Sequence, residues 1–481
     1  MSQAVRLSDQ GSPETITAGQ PITEETPWFL RADHEDEVLY DTDGGVSTVK
    51  AGKLSGLVEY LTRHDRLDAS FNHTFLLTYR SFTSSAELFE ILAQRFNIKP
   101  PAALTNAELQ VWTQQKQKVI QIRIINILKR WLEQFWVEPD DDKTKGLLDK
   151  MRIFAEESVP TVQTPASQGL LAVIEQRHRK ESMTTSPRVS MHNVNTPAPL
   201  LPKKMKKVKL LDINPIEIAR QLTLIEFQLY SKMRLDECLN KAWQKRAEAG
   251  AQEPAPNIRA LIHHSNQLAN WVGGMILAKD DLKKRVRIIK HFVEVADVCR
   301  SMQNYSTAIS IISGLGTAPV YRLGRTWSQV SERTCAVLEP LRSLVASTKN
   351  FHQYRETLRS ASPPCIPFLG VYLMDLTFIE DGNPSLTPSG MINFSKRGKA
   401  AAVIRDIQRF QTSPFLFKPV PELQEFIVGN LQSASDVNEM HERSLQLEPR
   451  TPHEENDAPP VPYVSTGSHM TSILVASMVL R

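Results

Sequence analysis

Residues 363–373 read Pro-Pro-Cys-Ile-Pro-Phe-Leu-Gly-Val-Tyr-Leu, and residues 374–384 continue Met-Asp-Leu-Thr-Phe-Ile-Glu-Asp-Gly-Asn-Pro. Proline fixes the backbone torsion φ, so the three prolines favour an extended or helix-starting geometry. The apolar run that begins at Phe368 then predicts a helix, which the turn residues Gly382-Asn383-Pro384 bring to an end. This stretch is predicted to form the first helix of a pair.

A second helix is predicted from Lys396 to Gln411, after a loop that contains Pro388, Ser389 and Gly390. Its apolar residues recur at helical spacing, which predicts a single inward stripe. The stripe consists of Ala400, Val403, Ile404, Ile407 and Phe410. Two antiparallel helices joined by one loop form a hairpin that can protrude from a helical bundle.

The rest of the ordered chain also has helical periodicity, and period-two strand alternation is scarce. In the first half, the strongest predicted helix carries the apolar stripe Ile120, Ile124, Ile127, Trp131 and Phe135. In the second half, Asn214 is a predicted N-cap, Pro215 suits the first helical position and Glu217 would complete a capping box. Further helices are predicted at 286–299, 305–315, 329–345 and 351–359. The predicted fold class is all-α: two helical domains, of which the second is a bundle that bears the protruding hairpin.

Composition shifts predict five segments along the chain. Ser, Thr, Glu, Asp and Gly dominate the N-terminal segment, although Trp28, Phe29 and Leu30 are expected to pack back onto the first helical domain. A stretch rich in proline and lysine separates the two helical parts. The predicted segments are a disordered start (1–45), a first helical domain (46–157), a flexible linker (158–210), a second helical domain (211–449) and a disordered tail (450–481).

The overall composition favours a globular protein of a reducing compartment. Hydrophobic residues make up 41% of the 481 residues, and the formal net charge is only +4, so no strong positive field indicates a nucleic-acid partner. The four cysteines lie far apart and lack both disulfide-framework and zinc-ligand spacing, which is typical of a cytoplasmic protein. No apolar stretch is long enough to predict a membrane span.

Motifs for bond-making chemistry are missing from the sequence. There is no phosphate-cradling Gly-x-x-x-x-Gly-Lys-Ser/Thr loop, no kinase motif set, no His-Glu-x-x-His and no Gly-x-Ser-x-Gly elbow. The only histidine pair is His263-His264, and adjacent helical residues point roughly 100° apart, so we expect one to pack and the other to be exposed. The sequence therefore predicts no metal site and no cofactor, and it favours a protein-binding function over enzymatic bond chemistry.

Five segments of the second half, taken in order, resemble the Ras guanine-nucleotide exchange factor family, which includes Son of sevenless. They span roughly 185 residues, and their shared order makes the resemblance specific. The segments are 212–226, 319–323, 350–359, 363–384 and 392–397. The first half resembles the N-terminal exchanger motif of the same family at Gly52-Lys53-Leu54, at 71–82 and along the helix from Arg123 to Trp131.

The resemblance implies that the chain accelerates loss of GDP from a Ras-subfamily small GTPase, of the Ras or Rap type, and so allows GTP to load. An exchanger must bind the empty, opened GTPase better than the loaded one, which requires a rigid wedge and no nucleophile. In the family this wedge is the hairpin, which pries switch 1 off the nucleotide. The resemblance also implies a cytoplasmic protein that other factors recruit transiently to the membrane where the GTPase is anchored.

Residue by residue, the resemblance assigns six positions to the wedge. Phe368 would seat the hairpin base against the GTPase, and Met374, Asp375 and Thr377 would face the nucleotide and magnesium region. Asp381 would place a carboxylate near the site of the α-phosphate, where it competes for donors of the phosphate loop. Asn383 would support the hairpin tip.

Eight further positions are implied to contact the GTPase. Tyr321 and Arg322 match the platform for switch 2, and an aromatic residue beside an arginine is typical of a protein–protein anchor. The remaining implied contacts are Phe351, Arg359, Gly370, His263, Asn266 and Lys399.

Two alternatives remain open at the level of sequence. Any of these side chains can also be explained as an ordinary core or turn residue. The chain can also be a scaffold that binds a GTPase without exchanging its nucleotide, because Thr377 is smaller than the apolar residue that well-studied exchangers often carry there.

Overall fold

The computed structural model describes residues 26–43, 46–162, 165–179, 196–203, 205, 208–247, 253–346 and 348–449. The chain divides into two units. Unit 1 comprises Met1–Met183 together with Ser385–Arg397, and unit 2 comprises Thr184–Pro384 together with Gly398–Arg481. The predicted tail 450–481 and most of the predicted disordered start lie outside the described residues.

Unit 1 is helical with one small sheet. Its strands are β1 (Val38–Asp43), β2 (Val46–Gly52) and β3 (Ile392–Asn393), and its helices are α1 (Leu54–Leu61), α2 (Ala69–Thr78), α3 (Ser85–Phe96), α4 (Asn106–Trp112), α5 (Lys118–Arg130), α6 (Asp142–Glu157) and α7 (Pro165–His178). The sheet is antiparallel in the order β1-β2-β3, with Ala51 opposite Asn393 and Gly52 opposite Ile392. The fold-class prediction is confirmed, because the described strands form only this small sheet.

The predicted stripe of the first half forms the centre of unit 1. Ile120, Ile124, Ile127, Trp131 and Phe135 are all buried. The helix that carries them changes at Trp131 from α5 to a π-helical segment, Trp131–Phe135. The indole N–H of Trp131 donates to the Tyr79 hydroxyl at 3.0 Å, so the polar edge of this large ring is satisfied inside the core.

Two boundary predictions for this half need correction. The predicted disordered start 1–45 contains β1, and Phe29 is buried as expected, although Trp28 is exposed. The predicted flexible linker 158–210 contains α7, which packs against α5 and α6. The physical reason is an apolar stripe at helical spacing, Leu170, Val173 and Ile174, which is buried.

Unit 2 is a bundle of helices around one hydrophobic core. Its helices are α8 (Pro215–Tyr230), α9 (Pro256–Leu277), α10 (Leu282–Ser301), α11 (Tyr305–Leu315), α12 (Ala318–Tyr321), α13 (Gly324–Trp327), α14 (Glu332–Val345), α15 (His352–Ser360), α16 (Leu369–Gly382), α17 (Phe394–Arg409), α18 (Pro421–Gln432) and α19 (Val437–Leu447). Residues of α17 up to Arg397 belong to unit 1. The core includes Leu222, Val272, Ile289, Phe292 and Ile311, each fully buried.

The start of α8 follows the predicted capping only in part. Asn214 is the N-cap, since its side chain accepts from the backbone N–H of Ile216, and Pro215 opens the helix. Glu217 does not complete a capping box, because its carboxylate instead accepts from the Gln221 amide and from the backbone N–H of Leu200. The predicted helices of the second half are confirmed, and the two helices of the hairpin are α16 and α17.

The C-terminal end of the described part of unit 2 is fixed by one buried carboxylate. Glu448 accepts hydrogen bonds from the backbone N–H groups of Arg325 and Thr326, at 2.9 and 3.0 Å, and from the Thr326 hydroxyl at 2.7 Å. The Arg285 guanidinium lies 3.4 Å from the same carboxylate. These contacts tie Glu448 to the short helix α13.

Candidate functional site

The base of α16 is held by a ring, a glycine and a backbone hydrogen bond. Phe368 is 6% exposed and precedes the helix, and its backbone N–H donates to the buried Tyr354 hydroxyl at 2.7 Å. A Cβ added at Gly370 would lie 2.6 Å from a carbon of the Phe368 ring, so only glycine lets the ring cover the first turn. Just before it, Ile366 is tied to the backbone of Gln303 and Tyr305. The predicted seat of the hairpin is thus a rigid junction.

A buried polar group lies beside this junction. Glu226, Tyr230, Ser265 and Ser306 line the same depression as Phe368. The Glu226 carboxylate is fully buried and accepts from the hydroxyl of Ser306, at 2.7 Å, and that of Thr307, at 3.1 Å. This carboxylate was not singled out in the sequence, since a glutamate in an amphipathic helix is usually exposed.

His264 is the charge partner of Glu226. Its Nε2 lies 3.3 Å from Glu226 Oε2, and His264 is buried whereas His263 is exposed, as expected for the histidine pair. Burial alone would lower the pKa of His264, but the Glu226 carboxylate outweighs burial and raises it. Burial alone would raise the pKa of Glu226, but His264 and the two hydroxyl donors lower it. The pair is therefore stabilised in its ionised form.

We expect Glu226→Gln to lower the free energy of unfolding by about 3 kcal/mol at pH 5.5, because breaking a buried pair leaves the other charge uncompensated. The raised pKa of His264 contributes stability below its ordinary value of 6.5, which is lost as pH rises through the folded-state pKa. The lowered pKa of Glu226 contributes above its ordinary value of 4.5, which is lost as pH falls. The deficit should therefore be largest between these two values.

The measurement is denaturant unfolding of the full chain at several pH values. Glu425→Gln, at an exposed position of α18, is the matched control for the change of charge. It should change the free energy of unfolding little at any pH. A deficit for Glu226→Gln that is equal at pH 5.5 and pH 8.5 would contradict the assignment of the ion pair.

Three of the predicted wedge residues lie on one face of α16. Met374 and Thr377 are half-buried, and Asp381 is exposed. Their spacing of three and four residues places them side by side on a helix. The Thr377 hydroxyl donates to the Leu373 carbonyl at 2.7 Å, so mainly its methyl group is left for a partner.

Asp381 has a partner within unit 2 that the sequence did not indicate. The Lys241 ammonium lies 2.5 Å from Asp381 Oδ1, and Lys241 adopts a left-handed backbone conformation with φ of 53°. The two side chains are 28% and 56% exposed, so water screens the pair and its contribution to stability is small. The lysine nevertheless holds the carboxylate on one side of the helix end.

Asn383 links the end of α16 to the early part of α17. Its Nδ2 donates to the Ile379 carbonyl at 2.9 Å, and its Oδ1 accepts from Lys399 Nζ at 3.0 Å. Asn383 and Lys399, both assigned to the site by the resemblance, thus form a polar contact between the end of α16 and α17.

Asp375 is fixed by an arginine that sequence reasoning missed. The Arg355 guanidinium binds both carboxylate oxygens of Asp375, at 2.7 and 2.8 Å, which is the bidentate geometry of a strong charge-assisted contact. Arg355 Nε also donates to the Asn350 carbonyl at 2.8 Å. Asn350 lies between Lys349 and Phe351, and all three have φ between 48° and 57°, a conformation that is unfavourable for non-glycine residues. Arg355 thus ties a strained turn to α16.

We expect a double-mutant cycle of Arg355→Ala and Asp375→Ala to give a coupling energy of about 1–2 kcal/mol in unfolding, because the pair is bidentate and only about a quarter exposed. The matched control is the cycle of Arg359→Ala and Glu356→Ala on the same helix, where the side chains are 72% and 53% exposed. That coupling should be near zero. Equal coupling in the two cycles would argue against a special role for Arg355.

The other predicted contacts are spread over several elements of unit 2. Arg322 donates to the carbonyl and the hydroxyl of Ser444 in α19, so its guanidinium is partly committed to the domain, and Tyr321 is half-buried. Phe351 is 4% exposed and offers little surface. Arg359 is exposed, whereas the Oδ1 atom of the half-buried Asn266 has no hydrogen-bond partner among the described residues. The contact roles of these residues remain predictions.

Within the described part of the chain, no group of three His, Cys, Asp or Glu side chains is arranged to hold a metal ion. No described helix combines the length and the apolar character that crossing a membrane requires.

Comparison with known proteins identifies both halves of the chain. A family model described as the RasGEF domain matches residues 217–398, and one described as the RasGEF N-terminal motif matches residues 48–154. Together the two models match more than half of the chain, and the first includes all of the predicted wedge.

Named relatives match most of the chain. The "Cell division control protein 25" of Candida albicans is 39% identical over 90% of this chain and 32% of its own length, and that of Saccharomyces cerevisiae is 33% identical over 89% and 28%. "Ras guanine nucleotide exchange factor I" of Dictyostelium discoideum is 33% identical over 84% of this chain and 47% of its own length. The chain thus spans less than half the length of each of these relatives.

Proposed function

Because the chain belongs to the RasGEF family, we propose that it is a guanine-nucleotide exchange factor for a Ras-subfamily small GTPase, of the Ras or Rap type. The observation that carries the proposal is the match of the RasGEF domain model to residues 217–398, which include α16 and its predicted wedge residues. The name of the Dictyostelium discoideum relative contains the word Ras, which supports a GTPase of the Ras subfamily as the partner.

The exchange mechanism follows from linkage between two ligands of one GTPase. If the hairpin binds the open, empty form more tightly than the loaded form, nucleotide and exchanger weaken each other reciprocally. The chain contributes a rigid helix for this, since Phe368 and Gly370 lock the base of α16 and Arg355 binds Asp375 from the side. Asp381 lies at the exposed end of the same helix. There its carboxylate competes with phosphate oxygens for the donors of the phosphate loop.

This mechanism transfers no group and breaks no bond, so the chain acts by binding alone and needs no cofactor. We propose that it works in the cytoplasm and is recruited by other factors to membranes where its GTPase is anchored.

The test is release of fluorescent GDP from purified GTPases of the Ras and Rap types, with the full chain added at catalytic concentration. The proposal expects one or more of them to release GDP much faster than without the chain, and Asp381→Asn to reduce this effect. Unchanged release from every GTPase of the panel would refute it.

A second candidate is a scaffold that binds the GTPase and leaves its nucleotide in place. Two observations favour it: Asp381 already has Lys241 as a partner, and Thr377 uses its hydroxyl internally. Size-exclusion chromatography distinguishes the exchange function from the scaffold function, because a scaffold would co-elute with a GTPase that retains its GDP. An exchanger forms a stable complex only with the empty GTPase.

A further inference from the structure

A lysine from a distant loop of unit 2 reaches the end of α16. Lys241 Nζ lies 2.5 Å from Asp381 Oδ1, although 140 residues separate the two along the chain. Asp381 stands in the last turn of α16, where the unpaired carbonyl groups of a helix carry a partial negative charge. Glu380 adds a second acidic residue beside it. A cation at this end of the helix therefore offsets a repulsion that the sequence of α16 itself creates.

The loop that carries Lys241 is anchored on both sides. Before the lysine, the buried Glu237 carboxylate accepts hydrogen bonds from the backbone N–H groups of Asn257 and Ile258, both at 2.9 Å, at the start of α9. After the lysine, the Trp243 side chain is buried. The ammonium that meets Asp381 is thus carried by a fixed piece of backbone.

The backbone at the lysine is itself unusual. Asn240 and Lys241 have φ of 51° and 53°, in the left-handed region that residues other than glycine seldom adopt. Asparagine tolerates this region better than lysine does. Such conformations persist where the surrounding structure imposes them, and they cluster at functional sites. The loop therefore accepts an unfavourable backbone at the one residue whose side chain binds Asp381.

The contact leaves half of the carboxylate available. Lys241 binds Oδ1 of Asp381, whereas Oδ2 accepts no hydrogen bond from any residue that the structure describes. An ionised carboxylate accepts through both of its oxygens. A donor from a partner protein can therefore bind Oδ2 while the lysine still holds the residue by Oδ1.

We propose that Lys241 is a positioning residue of the exchanger, which holds Asp381 at the end of α16 so that its second oxygen meets the phosphate-loop donors of the GTPase. This inference rests on the exchange function proposed above. A catalytic contact that is misplaced by about 1 Å can cost about a hundredfold in rate. A side chain that is already held in place also loses less conformational entropy when it binds. Lys241 acts through Asp381 and needs no contact of its own with the GTPase.

The test compares kcat and KM for the release of fluorescent GDP from a responsive GTPase by the full chain. Lys241→Met removes the ammonium and keeps a long side chain. It should lower kcat about tenfold with little change in KM, because the affected contact forms only as the nucleotide leaves. Lys241→Arg keeps the charge and should retain most of kcat. Lys241→Gly suits the left-handed backbone and should lose as much as Lys241→Met.

The decisive measurement repeats Lys241→Met in the background of Asp381→Asn. A residue that acts through Asp381 has no second effect there, so the loss should shrink to less than about twofold. Lys245→Met is the matched control, since Lys245 is exposed in the same loop and should leave kcat unchanged. Thermal unfolding should differ little among the lysine variants, because so exposed an ion pair contributes little to stability.

Four results oppose the inference. An unchanged kcat in Lys241→Met overturns the positioning role while the exchange function stands. A kcat above that of the wild type shows instead that Lys241 sequesters Asp381. A full loss that persists in the Asp381→Asn background shows that Lys241 contacts the GTPase directly. If the wild-type chain releases no GDP from any GTPase, the proposed function fails and the inference falls with it.

Discussion

Replacement of Phe368 by alanine is expected to reduce stimulated GDP release about a hundredfold, which corresponds to about 2.7 kcal/mol at 1.36 kcal/mol per factor of ten. The ring is 6% exposed and covers Gly370, and the backbone N–H of Phe368 is bonded to Tyr354. Alanine removes the ring that fixes the first turn of α16. The helix α16, which carries most of the predicted wedge residues, would then lose its defined direction.

Part of this loss would come from stability, because truncating a buried phenylalanine costs about 3–5 kcal/mol. Phe415→Ala is the matched control, since Phe415 is also 6% exposed and packs edge-to-face on Phe227. Both variants should unfold at lower temperature, but only Phe368→Ala should lose exchange per folded molecule in the release assay. Equal losses of exchange in the two variants would show that the ring serves stability alone.

The second large effect is expected from Gly314→Ala, which should lower the free energy of unfolding by about 3 kcal/mol, the upper end for overpacking of a core. A Cβ at Gly314 would lie 2.5 Å from the Ala269 carbonyl oxygen and 3.1 Å from the Ala269 Cα. Both are backbone atoms of α9, so the clash cannot be relieved by turning a side chain. The helices α9 and α11 would have to separate at the centre of unit 2.

Gly274→Ala is the matched control on α9, because nothing lies within 4 Å of the Cβ it adds. Alanine is the better helix former by about 1 kcal/mol, so this variant should be equally stable or more stable. Calorimetry of the full chain measures both. If the two variants unfold at the same temperature, the close approach of α9 and α11 at Gly314 is not a constraint.

The sequence alone predicts the features that depend on residues close to one another along the chain. The helices α16 and α17, the buried stripe of α5 and the N-cap at Asn214 all follow from neighbouring residues, and all are present. The resemblance to the exchange-factor family also predicted the hairpin, because residues 363–384 and 392–397 are two of the five segments that match the family in order.

Features that depend on distant residues were not predicted. Lys241 and Asp381 are 140 residues apart, and no pattern along the chain indicates that they meet. Arg355 and Asp375 lie on different helices, so their contact depends on how those helices pack. The exposure of Phe378, which is 63% exposed within the apolar run of α16, cannot be predicted for a similar reason, because an apolar run does not reveal which of its members the bundle will cover.

Unit 1 is assembled from two separate stretches of chain, and this has a consequence for its synthesis. Ser395 and Lys50 are hydrogen bonded although 345 residues separate them, and Phe394 stacks on Phe71 with ring centroids 4.5 Å apart. At about 5–20 residues per second, the ribosome adds the second stretch roughly 20–70 seconds after the first. During that interval, the nascent N-terminal unit has an unpaired edge on β2, and Phe71 lacks the ring that stacks on it. A messenger truncated between these stretches would yield a unit 1 that can never be completed.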